Sequence, residues 1–128
     1  ESLRAERIVM GDMDRGDSVE KGWPLEVAKT GARLAIDHVG SRDSRYIDDA
    51  ARVALILELI EAGYVDRIIL SSSATGVSFG EPGNDLPYSN VLTKFVPMLE
   101  EAGVSSEHIR QMLASNTVQL LSVSGENQ

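Results

Sequence analysis

The sequence predicts an α/β fold in which a parallel three-stranded sheet packs against helices. Three short apolar runs, at residues 8–10, 34–39 and 68–70, have the length and composition of buried strands. Helical patterns lie between and after these runs, so the predicted order is β, α, β, α, β, α, α. Strands that alternate with helices usually form a parallel sheet with right-handed crossovers.

The first helix is expected to be interrupted. It should begin at Asp17 or Ser18, which are both good N-cap residues, and run to Lys29. Gly22 and Pro24 lie inside this pattern, and because proline lacks a backbone N–H they predict a break or restart between the two halves.

The later helices follow from apolar periodicity. Residues 47–62 carry the clearest helical pattern in the chain. A third helix begins at Ser89 and must be distorted near Pro97. A last helix is capped by the segment Val104-Ser105-Ser106-Glu107, and residues 117–121 add one more apolar turn.

The composition fits a single soluble domain. The chain has 128 residues and a net charge of −8, which disfavours nonspecific binding to nucleic acid or to an anionic membrane. The absence of cysteine excludes disulfides and thiolate sites and suits a reducing compartment, so a cytoplasmic location is expected. We expect one domain over residues 1–122 and a disordered tail over 123–128.

A long loop, residues 74–87 (ATGVSFGEPGNDLP), separates the third strand from the next helix. Loops of this length in α/β proteins often cover a functional site. The strand-end serines 71–73, the loop amides and the N-terminus of the following helix suggest a small-molecule or anion-binding site as one alternative. Glu81 and Asp85 in the same loop argue against that alternative.

Polar residues follow each predicted strand. Asp12 and Asp14 come after the first strand, Asp37 and His38 after the second, and serines 71–73 after the third. In a parallel sheet these ends share one edge, where α/β proteins place their sites. An Asp/His cluster beside hydroxyls suggests a divalent cation site, acid–base hydrolysis or a Ser-His-Asp triad. No motif with specific spacing selects among them.

Each of these groups also has a structural interpretation. Asp12 and Asp14 are typical of residues that cap a helix or solvate a loop. His38 at a strand end is typical of a hydrogen-bonded structural histidine. The serines 71–73 are typical of a turn with local side-chain hydrogen bonds.

Three segments carry a resemblance to a known family: GARLAIDHVG, ARVALILELIEAGYVDRIILSSSA and YSNVLTKFVPMLEEAGVSSEHIRQMLASNTVQLLS. They resemble the C-terminal part of the phosphotriesterase family, which comprises metal-dependent lactonases and organophosphate hydrolases of the amidohydrolase superfamily. The resemblance runs from Arg7 to Ser122. It implies a partial TIM barrel, a sub-barrel fragment similar to the last three βα units of a (β/α)8 barrel.

Two departures from the family pattern concern its metal centre. The family has Gly-His-x-Asp after the sixth strand, and that His is a metal ligand; here Asp12 stands in its place, followed by Asp14. The family has Ser-x-Asp after the eighth strand, and here Ser73 replaces the Asp. The resemblance therefore implies vestigial positions at Asp12, Asp14, His38 and Ser73. No active catalytic residue and no bound metal are expected.

Three further departures are Arg33 and Lys21, where the family more often has aromatic or apolar residues, and Thr117, where it usually has proline. Losing ligands while gaining charge suggests an engineered fragment. The first hypothesis is thus a non-catalytic domain. The alternative is a lactonase or phosphotriesterase that binds zinc, manganese or cobalt and is completed by oligomerisation or by a partner fragment.

A sub-barrel of three strands also predicts exposed apolar side chains, because a closed barrel needs about eight strands. Each large side chain left without a partner costs roughly 1.5–3 kcal/mol. We expect self-association, as a homodimer, through the former barrel interior or the sheet edge, or else cover from the C-terminal helix. The side chains assigned to that interior are Ile8, Met10, Leu34, Ile36 and Ile69.

Overall fold

The computed structural model of the chain describes residues 4–72 and 89–122. Its sheet is parallel, and the spatial order of the strands is their order in the sequence. The predicted parallel three-stranded sheet is therefore confirmed. The strands are β1 (Val9–Met10), β2 (Arg33–Ile36) and β3 (Ile68–Leu70).

Three expectations fall on residues that the structure does not describe: the long loop 74–87, the tail 123–128 and Ser73. They stay predictions, as does the assignment of residues 1–122 to one domain. In the two described stretches, no helix is both long enough and apolar enough to cross a lipid bilayer.

β2 ends at Ile36, three residues before the end of the apolar run that predicts it. His38 donates its backbone N–H to the Asp14 carboxylate at 3.0 Å rather than to a neighbouring strand. Val39 donates its N–H to the Ser71 carbonyl at 3.1 Å. Because side-chain and loop acceptors satisfy these groups, the chain leaves the sheet after Ile36.

The first helical region is broken as predicted. α1 (Gly16–Glu20) and α2 (Trp23–Lys29) are separated by Gly22, whose φ of +73° lies in the left-handed region that glycine adopts without strain. Pro24 lies in the first turn of α2, where a missing N–H is tolerated. The break therefore follows directly from these two residue types.

α3 (Asp49–Glu61) occupies the segment with the clearest helical pattern. Its N-cap is Asp48, whose side chain accepts the N–H of Ala51 at 2.8 Å. This bond satisfies a backbone donor of the first turn, which has no partner inside the helix.

A wide turn precedes α4 (Val96–Glu101). Residues Val91–Phe95 form a π-helical turn, and the N–H of Val96 bonds to the carbonyl of Val91, five residues back instead of four. Pro97 lies in the first turn of α4. The predicted distortion near Pro97 is confirmed.

A second π turn, which the sequence does not predict, has the same form. Here the N–H of Asn116 bonds to the carbonyl of Gln111. Thr117 follows at the position that Pro97 holds after the first π turn. The segments are α5 (Ser106–Arg110), the π turn (Gln111–Ser115) and α6 (Asn116–Leu121).

The helices pack against one face of the sheet. Residues paired across parallel strands share a face, so Leu34 lies beside Ile68, and Ile36 lies beside Leu70. All four are buried in the hydrophobic core. The helical residues of the core include Val53, Ile56, Leu59, Phe95, Leu99 and Met112.

This register corrects the predicted barrel interior. Leu34 and Ile36 are fully buried in the core with the helices, so their assignment to an exposed inner face is wrong. Ile69 pairs with Ala35 and lies on the opposite face, where it is half-buried. The alternation of a strand shows which residues share a face, but it does not show which face the helices cover.

β1 is an edge strand with little cover. Val9 and Met10 are 40% and 43% exposed, and as consecutive strand residues they point to opposite faces. Ile8 before them is half-buried. Among the described residues, β1 therefore presents apolar side chains on both faces.

Arg33 ties together the starts of the strands. It is 8% exposed, and its Nε donates to the carbonyl of Glu6 at 3.3 Å. Its Nη1 donates to the carbonyl of Asp66 at 2.8 Å. Glu6 and Asp66 lie in the 3-10 turns before β1 and β3, so one side chain at the start of the central strand joins both of its neighbours.

α6 is fixed at the same end of the sheet. The Nδ2 of Asn116 donates to the carbonyls of Val65 and Ile68 at 2.8 and 2.7 Å. The Nη1 of Arg7 donates to the carbonyl of Leu120 at 3.1 Å. The last helix therefore contacts the chain just before β1 as well as the start of β3.

Thr117→Pro should be nearly neutral. A proline inside a regular helix costs about 3 kcal/mol, but here a π turn already widens the hydrogen-bond ladder, as it does before Pro97. We expect the free energy of unfolding in urea to change by less than about 1 kcal/mol. Glu58→Pro, inside α3, is the control and should cost about 3 kcal/mol or more. An equal loss in both variants would contradict the equivalence of the two π turns.

Candidate functional site

Polar side chains from two strand ends meet at the carboxyl edge of the sheet. Asp12 and Asp14 follow β1, and Asp37 and His38 follow β2. The Nδ1 of His38 lies 2.9 Å from Asp37 Oδ1 and 3.5 Å from an oxygen of each of the other two carboxylates. The structure thus brings together the four residues that the sequence places at this edge.

The serines after β3 do not complete a triad with this cluster. His38 and Ser72 form an isolated backbone bridge. Within residues 4–72 and 89–122, no serine Oγ bonds to the ring of His38, whose Nδ1 is bonded to Asp37. Ser73 lies outside the described residues. The described geometry therefore gives no support to a Ser-His-Asp triad.

Asp14 is a buried ion-pair partner. Arg52 Nε donates to Asp14 Oδ2 at 2.7 Å, and both side chains are 0% exposed. The same oxygen accepts the backbone N–H of His38 at 3.0 Å, and the carbonyl of Asp14 accepts the N–H of Ile47 at 3.0 Å. The expectation that Asp14 is a solvated or capping group is wrong, because a cation 38 residues away draws it into the core.

Arg52 is the site residue that sequence reasoning misses. Its Nη1 donates to Asp49 Oδ1 at 2.9 Å, and that oxygen also accepts the N–H of Gly40 at 2.9 Å. A signal was present, because Arg52 lies on the apolar stripe of α3, in line with the buried Leu55 and Leu59. A charged residue on such a stripe needs a buried partner.

His38 is held by a hydrogen bond and by stacking. Its Nδ1 lies 2.9 Å from Asp37 Oδ1, and its ring stacks on Tyr46 with centroids 3.7 Å apart and planes inclined by 18°. This arrangement matches the structural interpretation of His38. It also fixes the orientation of the imidazole ring.

Asp12 is half-exposed and has an unusual backbone conformation. Its φ of +56° is left-handed, and its N–H is shared between the two carboxylate oxygens of Asp37 at 3.2 and 3.3 Å. Its side chain is 53% exposed, as expected for a solvated group. It caps no helix, since α1 begins at Gly16 and has no side-chain cap.

Burial raises the pKa of Asp37 above its ordinary value, although the N–H of Asp12 and the ring of His38 oppose this shift. The folded protein therefore holds the proton more tightly than the unfolded chain does. The contribution of Asp37 to stability falls as the pH rises from 3.8 through the folded pKa. The ionised form is the costly one in the fold, and a nearby cation would stabilise it.

The donors at this edge do not fit the metal centre that the resemblance implies. Asp12, Asp37 and His38 offer three ligand atoms within 4.8 Å of one another. Asp12 stands where that centre has an imidazole, and the one imidazole of the cluster is bonded through Nδ1 to Asp37. In the described part of the chain, oxygen donors predominate where a nitrogen ligand is implied.

Asp14 and Arg52 should be strongly coupled. Arg52→Met leaves a buried carboxylate without its ionic partner, and Asp14→Asn does the same to a buried guanidinium. Each change should therefore lower the free energy of unfolding by about 3–5 kcal/mol. In the double variant, the loss of unfolding free energy should be smaller than the sum of the two single losses by at least about 2 kcal/mol. Urea denaturation of the four proteins measures this coupling. The exposed Arg15–Asp17 pair, 3.0 Å apart, is the control and should couple by less than about 1 kcal/mol. Additive losses would contradict a buried pair.

Comparisons with known proteins agree with this fold. The Phosphotriesterase family matches residues 3–121. The phosphotriesterase homology protein of Escherichia coli K12 is 28% identical over 113 residues, which cover 88% of this chain and 37% of that protein. The N-acetyltaurine hydrolase of Dictyostelium discoideum is 30% identical over 129 residues, which cover 91% of this chain and 34% of that protein.

A crystal structure of the Escherichia coli protein, with phosphate in its active site, matches with a TM-score of 0.73 and 25% identity, covering 92% of this chain and 39% of that one. The chain thus spans little more than a third of the length of the relatives it matches, and its strands form part of a TIM barrel. Since the family match covers nearly all of its residues, this chain belongs to the phosphotriesterase family.

Proposed function

We propose that these βα units of a phosphotriesterase-family barrel have no hydrolase activity of their own. The observation that carries the proposal is the structural use of the carboxylates at the strand ends. Asp14 Oδ2 is bonded to Arg52 and to the N–H of His38, and Asp37 is bonded to the N–H of Asp12. These bonds hold the strand ends together, which is a structural role.

Two replaced positions support the proposal. Asp12 stands where the resemblance implies a histidine ligand, and Ser73, outside the described residues, stands where it implies a carboxylate. A neutral hydroxyl cannot serve as an anionic metal ligand or as a general base. We therefore propose that Asp12, Asp14, His38 and Ser73 mark a former site.

We further propose that the departures from the family pattern are redesigned positions. Arg33 is buried, yet its guanidinium finds two carbonyl acceptors. Lys21 also has a partner, since its Nζ lies 4.8 Å from the centroid of the Trp23 ring. Charges that accumulate without selection are not expected to find such partners, and this supports design over drift.

The alternative function is a metal-dependent lactonase or phosphotriesterase completed by strands from another copy or a partner. The observation in its favour is the position of Asp12, Asp37 and His38, which lie together at the carboxyl edge of the sheet. In TIM barrels this edge carries the active site. Zinc, manganese or cobalt would then be required.

We also propose that the chain self-associates as a homodimer through β1. Val9 and Met10 are both close to half-exposed and point to opposite faces of an edge strand. An edge strand with exposed apolar side chains is a template for pairing with another strand. A second copy offers the same edge, so the contact can be symmetric.

The chain should show no turnover of lactones or phosphotriesters when zinc, manganese or cobalt is supplied. Asp12→His combined with Ser73→Asp should not restore activity, because a carboxylate and an imidazole alone do not rebuild the missing ligands. Product formation, measured against the same metal without protein, tests this. Turnover that rises with the double change would support the alternative function instead.

Met10→Lys should convert the proposed dimer into a monomer, because a charge would be buried at the strand edge. Sedimentation velocity of the parent and variant chains measures the change. Leu57→Lys is the matched control, since Leu57 is 37% exposed on α3, away from β1, and should leave the dimer intact. A parent chain that is monomeric at all accessible concentrations would contradict self-association.

A further inference from the structure

We propose that a groove between the C-terminal helices binds a small zwitterion with an aliphatic body, an aliphatic amino acid such as leucine. The groove, called here the helix groove, lies between α4 on one side and α5 with its following π turn on the other. None of its lining residues is at a strand end. The site is therefore separate from the polar cluster at the carboxyl edge of the sheet, and its occupation requires no hydrolysis.

The helix groove has the size and the lining of a site for a small ligand. Its volume is about 260 Å³, somewhat below the roughly 300–1,000 Å³ of pockets that hold drug-sized molecules. Among the described residues, no aromatic side chain contributes to it, and most of its lining is aliphatic. The aliphatic lining residues are Val96, Ile109, Leu113 and Ala114. A short branched aliphatic chain therefore matches both its volume and its surface.

The floor and walls of the helix groove are held in place by the core. Ile109 is 6% exposed and belongs to the hydrophobic core. Val96 and Leu113 pack against that core while they stay partly exposed. Because these side chains are already fixed, they lose little freedom when a ligand binds, and a preformed site of this kind favours affinity.

Both π turns border the helix groove. Leu113 and Ala114 lie in the second π turn, and Val96 is the residue whose N–H closes the first. A π turn is rare and occurs mostly as a single widened turn inside a helix, frequently at a functional site. The presence of one at each wall of the same groove is a second, independent observation in favour of a ligand site.

Two charges of opposite sign flank the aliphatic lining. Glu100 lies on the α4 side of the groove, and Arg110 lies on the α5 side. Both are exposed, and within residues 4–72 and 89–122 neither side chain has an ion-pair or hydrogen-bond partner. The hydroxyl of Ser106, at the start of α5, is the third polar group of the lining.

This pair of charges selects a zwitterion. A carboxylate of the ligand would pair with the guanidinium of Arg110, which can bind both of its oxygens, and an ammonium would pair with Glu100. A ligand with a single charge would pair with one of these side chains and be repelled by the other. An aliphatic amino acid carries both charges beside an apolar body, so it is the class of ligand that the helix groove fits.

The test is a titration of the full chain with L-leucine, followed by the methyl chemical shifts of Val96, Ile109 and Leu113. We expect saturable shifts with a Kd of about 1 mM, because exposed ion pairs each contribute little affinity. Isocaproate lacks the ammonium of leucine and isoamylamine lacks its carboxylate, so each should bind at least about threefold more weakly. Glycine lacks the aliphatic body and should cause no saturable shift. Equal binding of leucine and its two analogues, or no saturable shift with leucine, would overturn the proposal.

Two single changes assign the charges. Glu100→Gln should remove the advantage of leucine over isocaproate, and Arg110→Gln should remove its advantage over isoamylamine. The controls are Glu101→Gln and Lys94→Gln, which remove the same charges from exposed side chains outside the lining. Each control should change the Kd for leucine less than about twofold, because salt screens charges that do not contact the ligand. Equal weakening in a variant and its control would overturn the pairing and indicate an effect of net charge.

Ala114→Leu should fill the helix groove and abolish the shifts that leucine causes. Gln119→Leu is the control, because it adds the same side chain at an exposed position of α6 outside the groove and should leave the Kd unchanged. Both variants should fold, since leucine favours helix, and circular dichroism verifies this. Unchanged binding by Ala114→Leu would overturn the site. These titrations are independent of turnover, so failure of leucine binding and failure of the proposed lack of hydrolase activity are separate results.

Discussion

The buried ion pair between Asp14 and Arg52 is the interaction on which the carboxyl edge of the sheet depends. Asp14 follows β1, and Arg52 comes from α3. The same carboxylate receives the N–H of His38, so one side chain connects the ends of two strands to the helix that covers them. Two buried charges are expensive to desolvate, and the pair therefore contributes more to the geometry of the edge than to net stability.

The sequence predicts most of the local structure, because the signals are local. The break at Gly22 and the distortion at Pro97 follow from single residue types. The covered face of the sheet is not predictable in this way. Leu34 and Ile36 alternate with Ala35 in either orientation, and only the packing of distant helices decides which side is buried. The second π turn has no proline to announce it.

The same limit applies to the candidate site, where local sequence identifies the residues but not their partners. Composition and strand ends are enough to select Asp12, Asp14, Asp37 and His38, and the fold brings them together. Their roles depend on a partner far along the chain. Arg52 pairs with the Asp14 carboxylate, which the sequence predicts to be solvated, and makes it part of the core. Neither segment alone indicates this pairing. The position of Arg52 on the apolar stripe of α3 is the one local feature that indicates a buried ionic partner.

The hydrogen bond between Arg7 and the carbonyl of Leu120 has a consequence for the folding rate. It joins residues 113 positions apart, and it lies beside the contacts that fix α6 to the start of β3. Closing so long a loop is entropically unfavourable, and contacts of this separation slow folding. During synthesis, β1 can gain this support only after α6 has left the ribosome. Its exposed apolar residues would then be most vulnerable to wrong partners in the interval before the helix arrives.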